Sequence, residues 1–229
     1  MRADLAHRFA PSATVRRILI VGAGGFGREV LQWTRDAWPE HTGKIAGFLS
    51  ADPHALHGHA LDLPILGDPA AFEPEPGDAL LLAIGIPTVR RSVAEDLERR
   101  GATFLTLVHP AAIVFPTATI GSGSILCPHA IASDSVRLGR FTLMNYHSSL
   151  GHDAHAGDFA VLSPYAALGG GAAIGPDVFL GLHASIGPGV QIGPRTKITA
   201  NSAALHDAPA DSLIHGVPGR HSPLMDSAS

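Results

Sequence analysis

The stretch "AIGPDVFLGLHASIGPGVQIGP" (residues 173–194) repeats its own grammar every six residues. Ile174, Leu180, Ile186 and Ile192 stand six apart, and Val178, Ala184 and Val190 follow the first three by four places. The register extends both ways without slipping. From Val114 through Ile120, Leu126, Ala132 and onward to Ile198, each sixth residue is apolar. A small or β-branched residue follows four places later, from Ala118 through to Ser202. Glycine often comes directly after the apolar position, as at Gly121, Gly157 and Gly193. Two inward positions per six, separated by turn residues, describe short strands wrapping a narrow core. That is a parallel β-helix of hexapeptide repeats, with three hexads to a coil and about five coils in all.

Composition bounds the rest. The chain has 229 residues, 45% apolar and 16% charged, with a formal charge of −4 and a pI near 6.4. That balance suits a soluble globular protein and gives no electrostatic case for nucleic acid as a partner. Cys127 is the only cysteine, which excludes intramolecular disulfides and multi-cysteine metal sites. It occupies the small-residue slot after Leu126, so its reading is structural. No apolar run reaches the ~18–20 residues of a membrane span. The opening "MRADLAHRFAPSATVRR" lacks the apolar centre of a signal peptide. The expected location is the cytoplasm.

Ahead of the repeat the grammar is different. "RILIVGAGGFGREVLQWTRD" reads as a buried strand, a glycine turn and a helix, with Gly22, Gly24 and Gly27 spaced as G-x-G-x-x-G. Glycines there let a phosphate approach the backbone, and a helix N-terminus favours negative charge. "KIAGFL" is a second strand, followed by a turn containing Asp52; "ALLLAIG" is a third, leading into the helix "TVRRSVAEDLERRG"; "TFLTLVHP" is a fourth. Alternating strand and helix predict an α/β Rossmann-like half-domain, sized for a nucleotide or nucleotide-sugar rather than a whole dinucleotide. The domain reading is therefore 1–16 as a flexible N-terminus, 17–108 as the nucleotide- or sugar-binding domain, 109–205 as the β-helix and 206–229 as a C-terminal cap or tail. "HALHGHA" (54–60) reads as a polar loop.

The repeat also places the histidines of "MNYHSSLGHDAHAGDF" (144–159). His152 shares a phase with Pro116, Pro128, Pro164, Pro176, Pro188 and Pro194. Proline has no N–H and prefers turns, so this phase is an outward corner. An exposed histidine there can serve as a base, since imidazole is the side chain that exchanges a proton near neutral pH. Whether Asp153 reaches its ring is open, because adjacent side chains in a strand diverge. His129, His147 and His183 share the next phase, 18 and 36 residues apart, with Tyr165 filling the gap. They read as an outer-face column for packing or ligand contact, with metal binding as the alternative.

The order of parts resembles a known family. "ILIVGAGGFGREVL", "AIGIPTVRRSVAEDL", "LVHPAAIV", "GHDAHAGDF" and "GVPGR" follow one another as in the sialic acid O-acetyltransferase-like group. That group includes the nucleotide-amino-sugar N-acetyltransferases, which are left-handed β-helix acyltransferases. The resemblance implies acyl transfer from acetyl-CoA to a sugar or nucleotide-linked sugar, no metal, and a homotrimer. It makes His152 the general base and Asp153 its orienting acid. It places Gly24, Gly25, Phe26, Asp52, Gly85 and Asn145 at the sugar side. It places Gly170, Leu182, Ala200 and Arg220 at the coenzyme A side, in a groove between subunits.

Three positions depart from the family pattern. Phe26 stands where the glycine turn usually carries histidine, Ser50-Ala51-Asp52 where paired acids are usual, and Val161 where a second histidine follows the base. The first two imply a ligand other than the usual nucleotide sugar. Two other readings remain. In a γ-type carbonic anhydrase, His147 and His152 would ligate metal, although the upstream ligand position is Ala111. A catalytically degenerate β-helix would bind its ligand without turning it over.

Overall fold

The computed structural model describes residues 8–223, in two compact units divided after Pro110. The first holds β1 (Arg17–Val21), α1 (Gly25–Ala37), a 3₁₀ turn (Pro39–Lys44), β2 (Ile45–Leu49), β3 (Ile65–Gly67), β4 (Asp78–Leu82) and α2 (Pro87–Arg99). The strands lie parallel in the order β3-β2-β1-β4. Ile18–Val21 and Leu80–Leu82 are fully buried, as continuous apolar runs in a covered parallel sheet must be. α1 packs because Gly27, Val30, Leu31, Thr34 and Ala37 form one buried stripe at helical spacing. Arg17 and Asp78 stand opposite each other in the β1–β4 register and form a two-bond ion pair of 2.7 and 2.8 Å.

Two expectations need correcting here. "TFLTLVHP" is not a full strand: Phe104 makes a single bridge to Leu80, and only Leu107–Val108 (β5) is extended. β3 carries no distinct sequence signal, because Gly67 and the flanking loop mask its short apolar run. The N-terminal expectation falls partly on residues 1–7, outside those described. From Ser12 the chain is anchored: Val15 is buried, and Arg16 and Arg17 both donate their N–H to the Gly77 carbonyl.

In the second unit, two-residue strands recur at six-residue intervals from β6 (Ile113–Val114) to β21 (Ala203–Ala204). From β6 to β18 each pairs in parallel with the strand three further on, so the chain closes one triangular coil every eighteen residues. The face made of β7, β10, β13, β16 and β19 counts five coils. The coil is left-handed. Both inward columns are buried as the period requires, the apolar one at Leu126, Met144, Leu162 and Leu180 and the small one at Ala130, Ser148, Ala166 and Ala184. Inward hydroxyls are satisfied locally: Ser148 donates to the Asn145 carbonyl and Ser124 to that of Gly139. β22 (Ser212–His215) extends the face containing β20, and β23 (Arg220–Pro223) folds back antiparallel on it. Residues 224–229 of the expected tail lie outside those described.

The corners hold the feature that matters most for the site. The third residue after the apolar position is left-handed from residue 129 to 201, with φ of 67° and 72° at Gly171 and Gly189 and between 54° and 61° at the other positions, His129, Asp153, Tyr165 and Asn201 among them. None of those four is glycine. Single left-handed residues turn the chain through each corner of the prism.

Candidate active site

His152 and Asp153 occupy one such corner, between β12 (Ser149–Leu150) and β13 (His155–Ala156). In a strand their side chains would diverge. Here Asp153 has φ of 60°, which swings its carboxylate beside its neighbour, and His152 Nδ1 lies 2.9 Å from Asp153 Oδ2. Both side chains are open to solvent, at 70% and 66% exposure. A carboxylate at Nδ1 holds the proton on that nitrogen and leaves Nε2 free to accept another.

The next coil leaves room for the ring. Gly170 lies one coil above His152, and a Cβ there would come 2.5 Å from Nε2 and 2.7 Å from Cε1. Any side chain at 170 would displace the imidazole. Gly171 donates its N–H to the His152 carbonyl at 2.8 Å and fixes the corner's backbone. Gly170 thus touches the base itself, a closer relation than the coenzyme-side role expected of it.

The remaining expected residues do not all gather here. Asn145, Leu182 and Ala200 lie on the adjacent edge of the prism, between the second and third strands of successive coils. Asn145 is half-buried and its Oδ1 accepts the Tyr146 N–H at 2.8 Å. Leu182 is 50% exposed. That edge also carries the column His129, His147, Tyr165 and His183, and its rings do stack. Successive centroids are 4.9, 4.8 and 4.7 Å apart, with planes within 13° of parallel. The face between the two edges presents Ile131, Ser149, Ala167, Ser185 and Ala203, all half-buried, whereas the face carrying Arg137, His155 and Gln191 is exposed and polar. Arg220 sits on β23, opposite His215. No group of three His, Cys, Asp or Glu among the described residues is arranged to hold a metal ion, so His147 and His152 have no third ligand there.

The other candidate surface is the carboxyl end of the N-terminal sheet, where α/β folds bind ligands. β1 and β4 are neighbours, and each runs into a helix whose start has no side-chain cap. The glycine turn is tight. A Cβ at Gly22 would lie 2.6 Å from the Ala83 carbonyl oxygen, and one at Gly27 would collide with that of Gly22. Gly24 and Gly25 are exposed and Gly85 half-buried at the same end. The Phe26 ring packs edge-on against Trp33, two turns along α1, at 5.9 Å. Asp52 accepts the His54 N–H at 2.8 Å, closing the turn after β2. Sequence reading missed Arg90, which is fully buried beneath this end and donates to the carbonyls of Leu82 and Ile84. A signal existed: Pro87, Arg90, Ala94 and Leu97 form the buried stripe of α2, and an arginine within such a stripe is unusual.

An α/β unit followed by a left-handed hexapeptide coil is the architecture of the β-helix acyltransferases. Comparison with known proteins narrows it. Residues 17–97 match the PglD N-terminal domain. The UDP-N-acetylbacillosamine N-acetyltransferase of Bacillus subtilis (strain 168) is 41% identical over 51 residues, which span 22% of this chain and 24% of that relative. The crystal structure of PerB from Caulobacter crescentus, in complex with CoA and GDP-perosamine, superposes with a TM-score of 0.80 at 28% identity, covering 93% of this chain and 100% of that one. WeeI from Acinetobacter baumannii AYE superposes at 0.81 with 27% identity, covering 90% and 99%. The chain is thus similar to nucleotide-amino-sugar N-acetyltransferases, locally in sequence and over nearly its whole length in fold.

Proposed function

We propose that this protein transfers an acyl group, acetyl in the first instance, from a coenzyme A thioester to an amine or hydroxyl of a nucleotide-linked sugar. The observation that carries the reading is the His152–Asp153 pair, joined at 2.9 Å on an open corner with Gly170 keeping the space above the ring clear. Nε2 takes the proton from the attacking nitrogen or oxygen as that atom bonds to the thioester carbon. The carbon–sulfur bond breaks as the tetrahedral intermediate collapses, and the departing thiolate recovers the proton from the imidazolium. Asp153 stabilises that cation and fixes the tautomer that precedes it.

Binding is divided between two surfaces. The uncapped starts of α1 and α2, with Gly24, Gly25 and Gly85, suit the phosphates of the nucleotide portion. Phe26 lends the turn an apolar ring where the family usually has imidazole, and Asp52 closes the turn after β2 at the same end of the sheet. On the thioester side, Gly170 shares an edge with His152, while Leu182 and Ala200 lie on the other edge. A groove using both sets needs a second copy of the chain, which agrees with a homotrimer. Arg220 would supply a phosphate of the coenzyme with a charge-assisted partner. The expected location remains the cytoplasm.

The test compares His152→Ala with His147→Ala, following free thiol release with acetyl-CoA and a panel of nucleotide amino sugars. Loss of the base lowers turnover by about 10²–10⁴-fold and leaves CoA binding nearly unchanged. If His147→Ala abolishes turnover and His152→Ala retains it, this assignment fails. If wild-type protein binds these ligands and releases no thiol, the chain is a binding protein.

A further inference from the structure

Arg90 is 0% exposed, and a guanidinium withdrawn from water requires bonded donors. Its Nη1 donates to the Leu82 carbonyl at 2.6 Å and to the Ile84 carbonyl at 2.9 Å. One nitrogen therefore holds two carbonyls that bracket the turn between β4 and α2. In a trans peptide the C=O and the following N–H point in opposite directions. The carbonyl of Leu82 faces Arg90, and the Ala83 N–H accordingly points away, to the Val21 carbonyl at 2.8 Å. The same geometry applies to the next bracketing peptide. With the Ile84 carbonyl held inward, the Gly85 N–H is turned outward, at the carboxyl end of the sheet.

We infer that Arg90 is a positioning residue for substrate: it aims the Gly85 N–H at a phosphate of the nucleotide-linked acceptor. The inference rests on the reading that the N-terminal unit binds that nucleotide portion. Arg90 touches no ligand in this account. It acts through the orientation of one peptide, and the two N–H bonds of Nη1, fixed in the guanidinium plane, hold two carbonyls more rigidly than the rotating, point-like ammonium of lysine does.

The experiment is calorimetric titration of wild type, Arg90→Lys and Gly85→Pro with UDP and with GDP, and separately with CoA, alongside thermal unfolding. Gly85→Pro removes the N–H itself and leaves Arg90 in place. For whichever nucleotide the wild type binds, both variants bind it about tenfold or more weakly, as expected for one lost hydrogen bond to a charged group. Both retain wild-type CoA affinity, which a general loss of structure would not. Wild-type nucleotide affinity in folded Arg90→Lys, or in Gly85→Pro, overturns the inference. Should Arg90→Lys fail to fold, Gly85→Pro decides alone. If the wild type binds neither nucleotide, the reading of the N-terminal unit fails, and the role of Arg90 fails with it.

Discussion

His152 and Asp153 are consecutive residues whose side chains meet, with Nδ1 2.9 Å from Oδ2. The contact exists because Asp153 is left-handed, at φ 60°. An extended Asp153 would point to the opposite face. The pair is thus a product of the corner, and its chemistry depends on a backbone conformation that most residues adopt only at a cost.

Asp153→Asn keeps the shape of the side chain and tolerates the left-handed corner, since asparagine is among the residues enriched there. It removes the charge that stabilises an imidazolium. Turnover is expected to fall, by less than in His152→Ala, with the melting temperature nearly unchanged. Steady-state thiol release and thermal unfolding of both variants check this, and equal turnover in Asp153→Asn and wild type would remove Asp153 from the mechanism.

Gly170→Ala introduces a Cβ 2.5 Å from the present position of Nε2. The exposed ring yields more readily than the coil backbone, so the cost falls on geometry rather than on folding. A displacement on the order of 1 Å is enough to lower turnover by about 10²-fold. A crystal structure of the variant should show the ring moved; wild-type activity with an unmoved ring is the contrary outcome.

Tyr165 sits between His147 and His183 in the stacked column, with φ of 61°. Tyr165→Ala loses two ring contacts, about 0.5–1.5 kcal/mol each, and retains a left-handed residue bearing Cβ. Tyr165→Gly loses the same contacts and relieves the corner. The glycine variant should therefore be the more stable of the two by about 1 kcal/mol, measured by urea unfolding at one protein concentration. Light scattering of the same samples reports whether this edge also supports self-association.

Asp78 carries the acid sensitivity of the N-terminal unit. Burial raises its carboxyl, but the Arg17 guanidinium and the Glu75 N–H outweigh that and hold it below the ordinary aspartate value. A carboxyl lowered in the folded state contributes stability above its unfolded value, near 3.9, and loses it as pH falls through the folded value. Wild type should lose stability below about pH 4, more steeply than Asp78→Asn. At neutral pH the variant should be weaker by about 1.5–3 kcal/mol. Urea midpoints from pH 7 to pH 3 give both slopes, and parallel slopes would contradict this role.

The coil was legible because its signal is local and periodic. Each hexad buries the same two positions, and a slip anywhere in the run from Val114 to Ser202 would have exposed a column of apolar residues. The glycine turn was legible for a similar reason, since Gly22 and Gly27 stand where backbone atoms approach too closely for a Cβ. The outward phase of His152 and the shared edge of His129, His147, Tyr165 and His183 follow from the same arithmetic.

What the tertiary structure alone decided lies between phases and between elements. The period assigns His152 and Asp153 to a corner, but only the dihedral at Asp153 brings the carboxylate to the ring. Gly170 lies eighteen residues from His152 in the chain and becomes its neighbour only when one coil stacks on the next. Arg90 shows as an anomaly in an apolar stripe, and its partners appear only once α2 lies against the end of β4. A six-residue period specifies which way each side chain faces. It does not specify which dihedral a corner residue adopts, or which group another coil or element places opposite it, and hydrogen bonds depend on both.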